Sequence, residues 1–287
     1  MTVDGRFTKP PVIIGGCGRS GTTLLLSVLS AHPSILAIPY ETNVFCPTAY
    51  SKQVDFRAAL EIYRLREILK STEVKAGATR WCEKTPKNIL FFGRILEALE
   101  GNVKLINIVR DGRDVVASRH PERPDSSWIT MERWIQDVRA GVRFDRHRQV
   151  LVVRYEDLIL SFPETVSKIC GFIDEPVDAK ILDYYTHATV RTHAAWSGNL
   201  KDLHGKSVGK WQRGEYTKTS EQLMSDLDAV RLLRHYGYIG HDAPLSDVWK
   251  TTSMVRMLKR RVPPALKSAA GQLIGRRWPE MIAKGGR

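Results

Sequence analysis

Residues 16–23 read Gly16-Cys17-Gly18-Arg19-Ser20-Gly21-Thr22-Thr23, which puts three glycines, one cation and three hydroxyls into eight positions. Glycines let backbone N–H groups approach an anion closely, and the start of a helix adds the positive end of its dipole. The loop follows the β-branched run Val12-Ile13-Ile14 and opens into the apolar stretch Thr22–Leu29, so it sits between a buried strand and a helix. Its chemistry is that of a cradle for a phosphate or sulfate group.

The nucleotide-phosphate pattern G-x-x-x-x-G-K-[ST] is met at Gly16, Gly21 and Thr23, but Thr22 stands where the phosphate-gripping lysine belongs. Arg19 supplies the cation instead. A second strand, Val103–Val109, runs into Arg110 where a magnesium-holding aspartate would stand in a kinase or NTPase. Both substitutions disfavour the alternative of a P-loop-type kinase or other nucleotide-binding phosphotransferase, and they point to a site without metal.

The run G-C-G-R-S-G-T-T-L, followed by Ala31-His32-Pro33, resembles the 5′-phosphosulfate loop of sulfotransferases that use 3′-phosphoadenosine 5′-phosphosulfate (PAPS). The likeness is to the broad group that holds bacterial carbohydrate and small-molecule enzymes and the protein-tyrosine sulfotransferases. It extends to Arg110-Asp111-Gly112-Arg113 with Ser118, to Tyr155-Glu156-Asp157-Leu158 and to Ser207-Val208-Gly209-Lys210-Trp211, covering roughly residues 12–240. The resemblance implies that Gly18, Arg19, Ser20, Gly21, Thr22 and Thr23 cradle the phosphosulfate. It implies further that Arg110 and Ser118 grip the 3′-phosphate, that Tyr155 lies near the adenosine, and that Ser207 and Lys210 belong to a segment closing over the nucleotide.

The resemblance also implies catalytic roles. Glu41, in Pro39-Tyr40-Glu41-Thr42, matches the proposed general base, and Lys84, in Glu83-Lys84-Thr85-Pro86, matches a lysine near the sulfuryl group, with Arg19 as the loop cation. Glu83 is a competing base, whereas His32, at a helix end before proline, reads as a capping or core residue. In the tyrosine-protein enzymes a cysteine just before the glutamate partners one at the Cys82 position; here that place holds Ala37-Ile38-Pro39, which disfavours a disulfide-bonded secretory version. The acceptor is expected to be a hydroxyl of a carbohydrate, glycolipid or small metabolite, walled by residues 42–80 and 120–135. Trp128, Trp134 and Trp196 are either part of that wall or core.

Positioning these groups takes a regular frame. Strands at 12–14, 103–109 and 150–153 alternate with helices expected over 22–31, 56–70, 86–100 (Thr85 as N-cap), 128–148, 161–173 from the Ser161/Glu164 capping box, and from a Thr219/Gln222 box to Gly237. Alternation of this kind predicts an α/β fold, a P-loop-like three-layer sandwich whose central sheet is mostly parallel with helices on both faces.

The chain has 287 residues, 44 Lys+Arg against 31 Asp+Glu and a net charge of +13. Residues 247–287 carry ten Lys/Arg and two acids, so +8 of the excess lies in this tail. The reading is a domain at 1–246 and a basic amphipathic tail at 247–287, which docks on the sheet or a second subunit, frays, or contacts an anionic membrane peripherally. Nucleic acid is not expected as a partner, because the body's key cations serve one small anion. No run of eighteen apolar residues and no signal-peptide pattern occurs, and the four cysteines are widely spaced, so a cytoplasmic protein is expected.

Overall fold

The computed structural model of the chain describes residues 4–51, 54–120, 123–191, 207–213 and 217–240. The chain divides into two compact units, Met1–Ser220 and Glu221–Arg287. The expected boundary at 246, the basic tail 247–287 and Trp196 lie outside the described residues.

The first unit begins with β1 (Val12–Gly16), α1 (Thr22–Ser30), β2 (Ile35–Ala37), α2 (Ile62–Ser71) and β3 (Arg80–Lys84). A 3-10 turn (Pro86–Phe91) then runs into α3 (Phe92–Ala98), followed by β4 (Lys104–Val109), α4 (Gly112–Val116) and a small hairpin of β5 (Arg119–His120) and β6 (Arg123–Ser127). After α5 (Met131–Val142) come β7 (Val150–Arg154), α6 (Tyr155–Leu160), α7 (Phe162–Phe172), α8 (Ala179–Leu182) and α9 (Tyr184–His187).

Five strands form an all-parallel sheet in the order β2-β3-β1-β4-β7. Side chains alternate across it. Val12 and Ile14 join one apolar cluster with α1, α6 and α7, while Ile13 joins another with α2, the 3-10 turn and α3. Ile106 and Ile108 against Leu105 repeat the division in β4. Two buried faces need two helical layers, so this is the expected three-layer sandwich; each fully buried Val, Ile or Leu contributes roughly 1.5–3 kcal/mol.

The topology determines where ligands gather. The chain leaves central β1 for edge strand β2, returns to β3 between them, then crosses to β4 on the other side of β1. That reversal opens a crevice beyond the carboxyl ends of the strands, the usual ligand position in open α/β sheets.

β3 is absent from the sequence reading, because Arg80-Trp81-Cys82-Glu83-Lys84 has too many charges to look like a buried strand. Each charge has its partner elsewhere. Arg80 donates to Glu175 (Nε–Oε1 2.9 Å) and to the Pro10 carbonyl, and Lys9 reaches the same Glu175 oxygen at 2.9 Å. Burial alone would raise the Glu175 carboxyl, but Lys9 and Arg80 outweigh it and hold it below the ordinary carboxylate range. A carboxyl depressed in the fold stabilises it above the unfolded value, about 4.3, and that contribution is lost as pH falls through the folded value. Glu175→Gln should therefore lower stability by about 1.5–3 kcal/mol at pH 7, and by less at pH 3, in urea unfolding. An equal loss at both pH values would show that charge is not the cause.

Several helix boundaries shift for local reasons. The stretch 56–61 stays irregular, with Arg94 Nη1 donating to the carbonyls of Phe56 and Ala58 and Phe56 stacked on Phe91 at 5.6 Å. The helix expected from Trp128 starts at Met131, where Thr130 Oγ1 accepts from Arg133 N. Thr85 occupies an N-cap position without capping; its hydroxyl donates to Glu83 instead. The Ser161 side chain likewise makes no cap hydrogen bond at the start of α7.

The helix expected from Thr219 to Gly237 is two, α10 (Thr217–Met224) and α11 (Leu227–His235). In the second unit Asp226 caps α11 by accepting from Asp228 N and Ala229 N, and Gly237 ends the turn at φ 73°. Among the described residues no helix is long and apolar enough to cross a membrane.

Candidate active site

The loop after β1 is shaped by three glycines at which an added Cβ would meet close neighbours. A Cβ on Gly21 (φ 93°) would lie 2.4 Å from Tyr155 Cδ2, one on Gly16 2.3 Å from the Ile108 carbonyl, and one on Gly18 2.9 Å from Ile129 Cδ1. Arg19 itself adopts φ 68°, a left-handed conformation that costs a non-glycine residue about 1–3 kcal/mol and persists where the surroundings impose it. No side chain caps α1, whose first residues are Thr22 and Thr23. Ser20 is fully buried, and among the described residues neither its Oγ nor Arg19 Nε has a hydrogen-bond partner. Burial, with nearby Arg110 adding to it, pulls the Arg19 guanidinium below its ordinary value. Two neighbouring cations with unspent donors, at an uncapped helix start, form a site built for an anion.

The strand order brings the second and third motifs alongside. Arg110, just past β4, donates from Nη1 to the Arg19 carbonyl at 3.0 Å and from Nη2 to the Ser207 carbonyl, and lies over the Tyr155 ring at 4.3 Å. Its Nε is buried without a partner among the described residues. Ser118 is buried, its Oγ donating to the Asp114 carbonyl at 3.2 Å, and Tyr155 opens α6 against Gly21. Gly209 and Trp211 flank Lys210 and both donate backbone N–H groups to Asp114. The predicted loop residues, Arg110, Ser118, Tyr155 and the 207–211 segment thus form one connected assembly.

The second assembly surrounds Glu41. Lys84, the last residue of β3 and almost fully buried, donates from Nζ to Glu41 Oε1 at 2.7 Å. Glu41 Oε2 has no hydrogen-bond partner among the described residues, and its side chain is 31% exposed, so this carboxylate is held at one oxygen and open at the other. Glu83 is not a competing base. It is fully buried, with Oε1 accepting from Thr42 Oγ1 (2.9 Å) and Thr85 Oγ1 (2.6 Å) and Oε2 from Asn88 Nδ2 (2.7 Å). Burial pushes its carboxyl up and these hydrogen bonds oppose the rise. Glu83 instead anchors Thr42, the residue next to Glu41. His32 is buried with both ring nitrogens engaged, by Ser34 N and the Pro176 carbonyl.

The tryptophans separate. Trp134 is core, its indole N–H donating to the Arg110 carbonyl, whereas Trp128 lies under the Arg19 guanidinium at 4.9 Å. A cation absent from the sequence reading, Arg133, has its Nη2 3.5 Å from where a Gly18 Cβ would be and its guanidinium 5.7 Å from the Tyr50 ring. Asp137 lies 3.5 Å from Arg133 Nε and accepts from Lys87 at 2.9 Å. The i,i+4 spacing of Arg133 and Asp137 on a helix is the signal that could have marked the pair. Ala37 sits opposite Cys82 in the sheet register, and Cys17, Cys46, Cys82 and Cys170 are all buried free thiols.

The model of the family described as "Sulfotransferase family" matches residues 10–179. A protein-tyrosine sulfotransferase of Drosophila melanogaster is 28% identical over 201 residues, covering 61% of this chain and 40% of that protein. Protein-tyrosine sulfotransferase A of Caenorhabditis elegans is 25% identical over 280 residues, covering 88% of this chain and 67% of its own length. Among solved structures, a sulfotransferase from Alicyclobacillus acidocaldarius superposes with a TM-score of 0.51 at 14% identity, over 85% of this chain and 99% of that one, a likeness of fold.

Proposed function

The chain belongs to the sulfotransferase family, and from that premise we propose that it moves the sulfuryl group of PAPS to an acceptor hydroxyl. What carries the reading is the set of buried, unpartnered polar atoms, Ser20 Oγ, Arg19 Nε and Arg110 Nε, gathered where the loops after β1 and β4 meet. Buried polar groups are ordinarily satisfied, so these three, gathered at one helix start, can serve an anion there. Bound there, PAPS would supply an activated sulfuryl group on a phosphate leaving group.

In this reading the loop from Gly18 to Thr23 holds the phosphosulfate end, Arg110 and Ser118 the 3′-phosphate, and Tyr155 with the segment carrying Ser207 and Lys210 the nucleoside. Arg110 suits a terminal phosphate because its planar fork donates twice, whereas Lys84 acts as a compact point charge. Glu41 takes the proton of the acceptor hydroxyl. Lys84 fixes its orientation, and with Arg19 it offsets negative charge growing at the leaving oxygen. No metal is needed, since arginine and lysine meet the charge.

We read Tyr50 as an acceptor-side residue: it is 52% exposed, and its hydroxyl is pushed up by desolvation and further by the Glu41 carboxylate while Arg133 opposes. The acceptor is read as a carbohydrate, glycolipid or small metabolite and the working place as cytoplasmic, while the basic tail 247–287 has its own domain, a second subunit and an anionic membrane as candidate surfaces. Incubation with ³⁵S-labelled PAPS and extract fractions, in the presence of EDTA, should yield a labelled product. Magnesium-dependent transfer from ATP, with none from PAPS, would establish a kinase instead.

A further inference from the structure

The turn from Arg110 into α4 does more than present Arg110. Asp114 is 1% exposed, and its carboxylate accepts from two backbone groups almost a hundred residues later, Gly209 N at Oδ2 (2.8 Å) and Trp211 N at Oδ1 (3.1 Å). Asp111 adds a second tie. Its carboxylate takes a forked pair from Arg113 (Nη2–Oδ2 2.7 Å, Nε–Oδ1 3.0 Å), and the oriented guanidinium lies 3.6 Å from the Trp211 ring. Arg110 Nη2 reaches the Ser207 carbonyl, so three consecutive-turn residues grip one short segment at its start, middle and end.

We propose that Asp114 is a positioning residue for the nucleotide site, holding the backbone that carries Ser207 and Lys210 in place beside Arg110. The inference rests on the PAPS reading above. Asp114 Oδ2 also lies 3.7 Å from Arg110 Nη2, and a buried carboxylate left without its two N–H donors would be costly, so the tie holds Arg110, Asp114 and the segment together. Asp114 need not touch the nucleotide to govern how long it stays.

Asp114→Asn keeps the side chain's shape but removes the charge and places an NH₂ group against one of the backbone donors. PAP dissociation, followed by stopped-flow, should accelerate about ten- to a hundredfold with little change in association. Hydrogen exchange at the Gly209 and Trp211 amides should rise with it. Gly209→Ala attacks the same tie from the other side, because residue 209 sits at φ 70°, and should give the same faster release without altering the buried loop. If wild-type protein fails to bind PAP, the nucleotide reading falls and this proposal with it. If wild type binds but both variants release PAP at the wild-type rate, Asp114 has no positioning role; should Asp114→Asn not fold, an unchanged rate in Gly209→Ala alone overturns the proposal.

Discussion

Glu41→Gln should bind PAP as wild type does and lose about two to four orders of magnitude in turnover, the usual worth of a general base. The separation of the two effects follows from the geometry. Glu41 belongs to the assembly at the end of β3, tied through Oε1 to Lys84, whereas the Arg110 guanidinium is tied to the Arg19 and Ser207 carbonyls. Glutamine preserves the hydrogen bond from Lys84 while removing the basic oxygen, so misplacement of the lysine is minimised. Calorimetry with PAP and a labelled-PAPS assay read the two quantities separately. Wild-type turnover would move the base elsewhere, and not to Glu83 or His32, whose acceptors are already committed. Arg133 and Tyr50 would then be the neighbours in which to look for the group that orients the acceptor.

Arg110→Ala should weaken PAP binding by about 2–5 kcal/mol, roughly thirtyfold to several thousandfold. The effect is large because one guanidinium serves several partners. It links the Arg19 carbonyl to the Ser207 carbonyl, covers Tyr155 and holds a buried, unspent Nε. Arg110→Lys retains the charge without the fork and should fall between, which separates attraction from geometry. Arg19→Ala should also lower affinity, and unchanged binding in both alanine variants would overturn the nucleotide assignment.

How much was legible beforehand depended on how local the cause was. The loop from Gly16 to Thr23 could be read because its constraint is a run of backbone positions. β1, β4 and β7 were legible because each is rich in Val, Ile and Leu over at least three residues, whereas Ile35–Ala37 of β2 was too short to stand out. β3 was not, since Arg80, Glu83 and Lys84 are acceptable inside a sheet only through Glu175, Thr42, Asn88 and Glu41, which the fold delivers from elsewhere. The same distance hid the true part of Glu83, which looked like a base and is a support. Arg133 was missed because a charged helix face usually meets water; its i,i+4 spacing to Asp137 was readable, but its closeness to Gly18 comes from the fold.

The three glycines of the first loop differ in what bars a larger residue. At Gly16 the obstacle is the main chain of β4, which no substitution elsewhere can remove; at Gly21 it is the Tyr155 ring combined with a left-handed φ; at Gly18 it is the mobile end of Ile129. Divergence among descendants of this chain should therefore spare position 16 altogether, admit change at 21 only as a rare double event with 155, and let 18 drift whenever 129 shrinks. The loop would keep its hinge points in that order as the acceptor changes, so its evolutionary clock runs at three speeds within six residues.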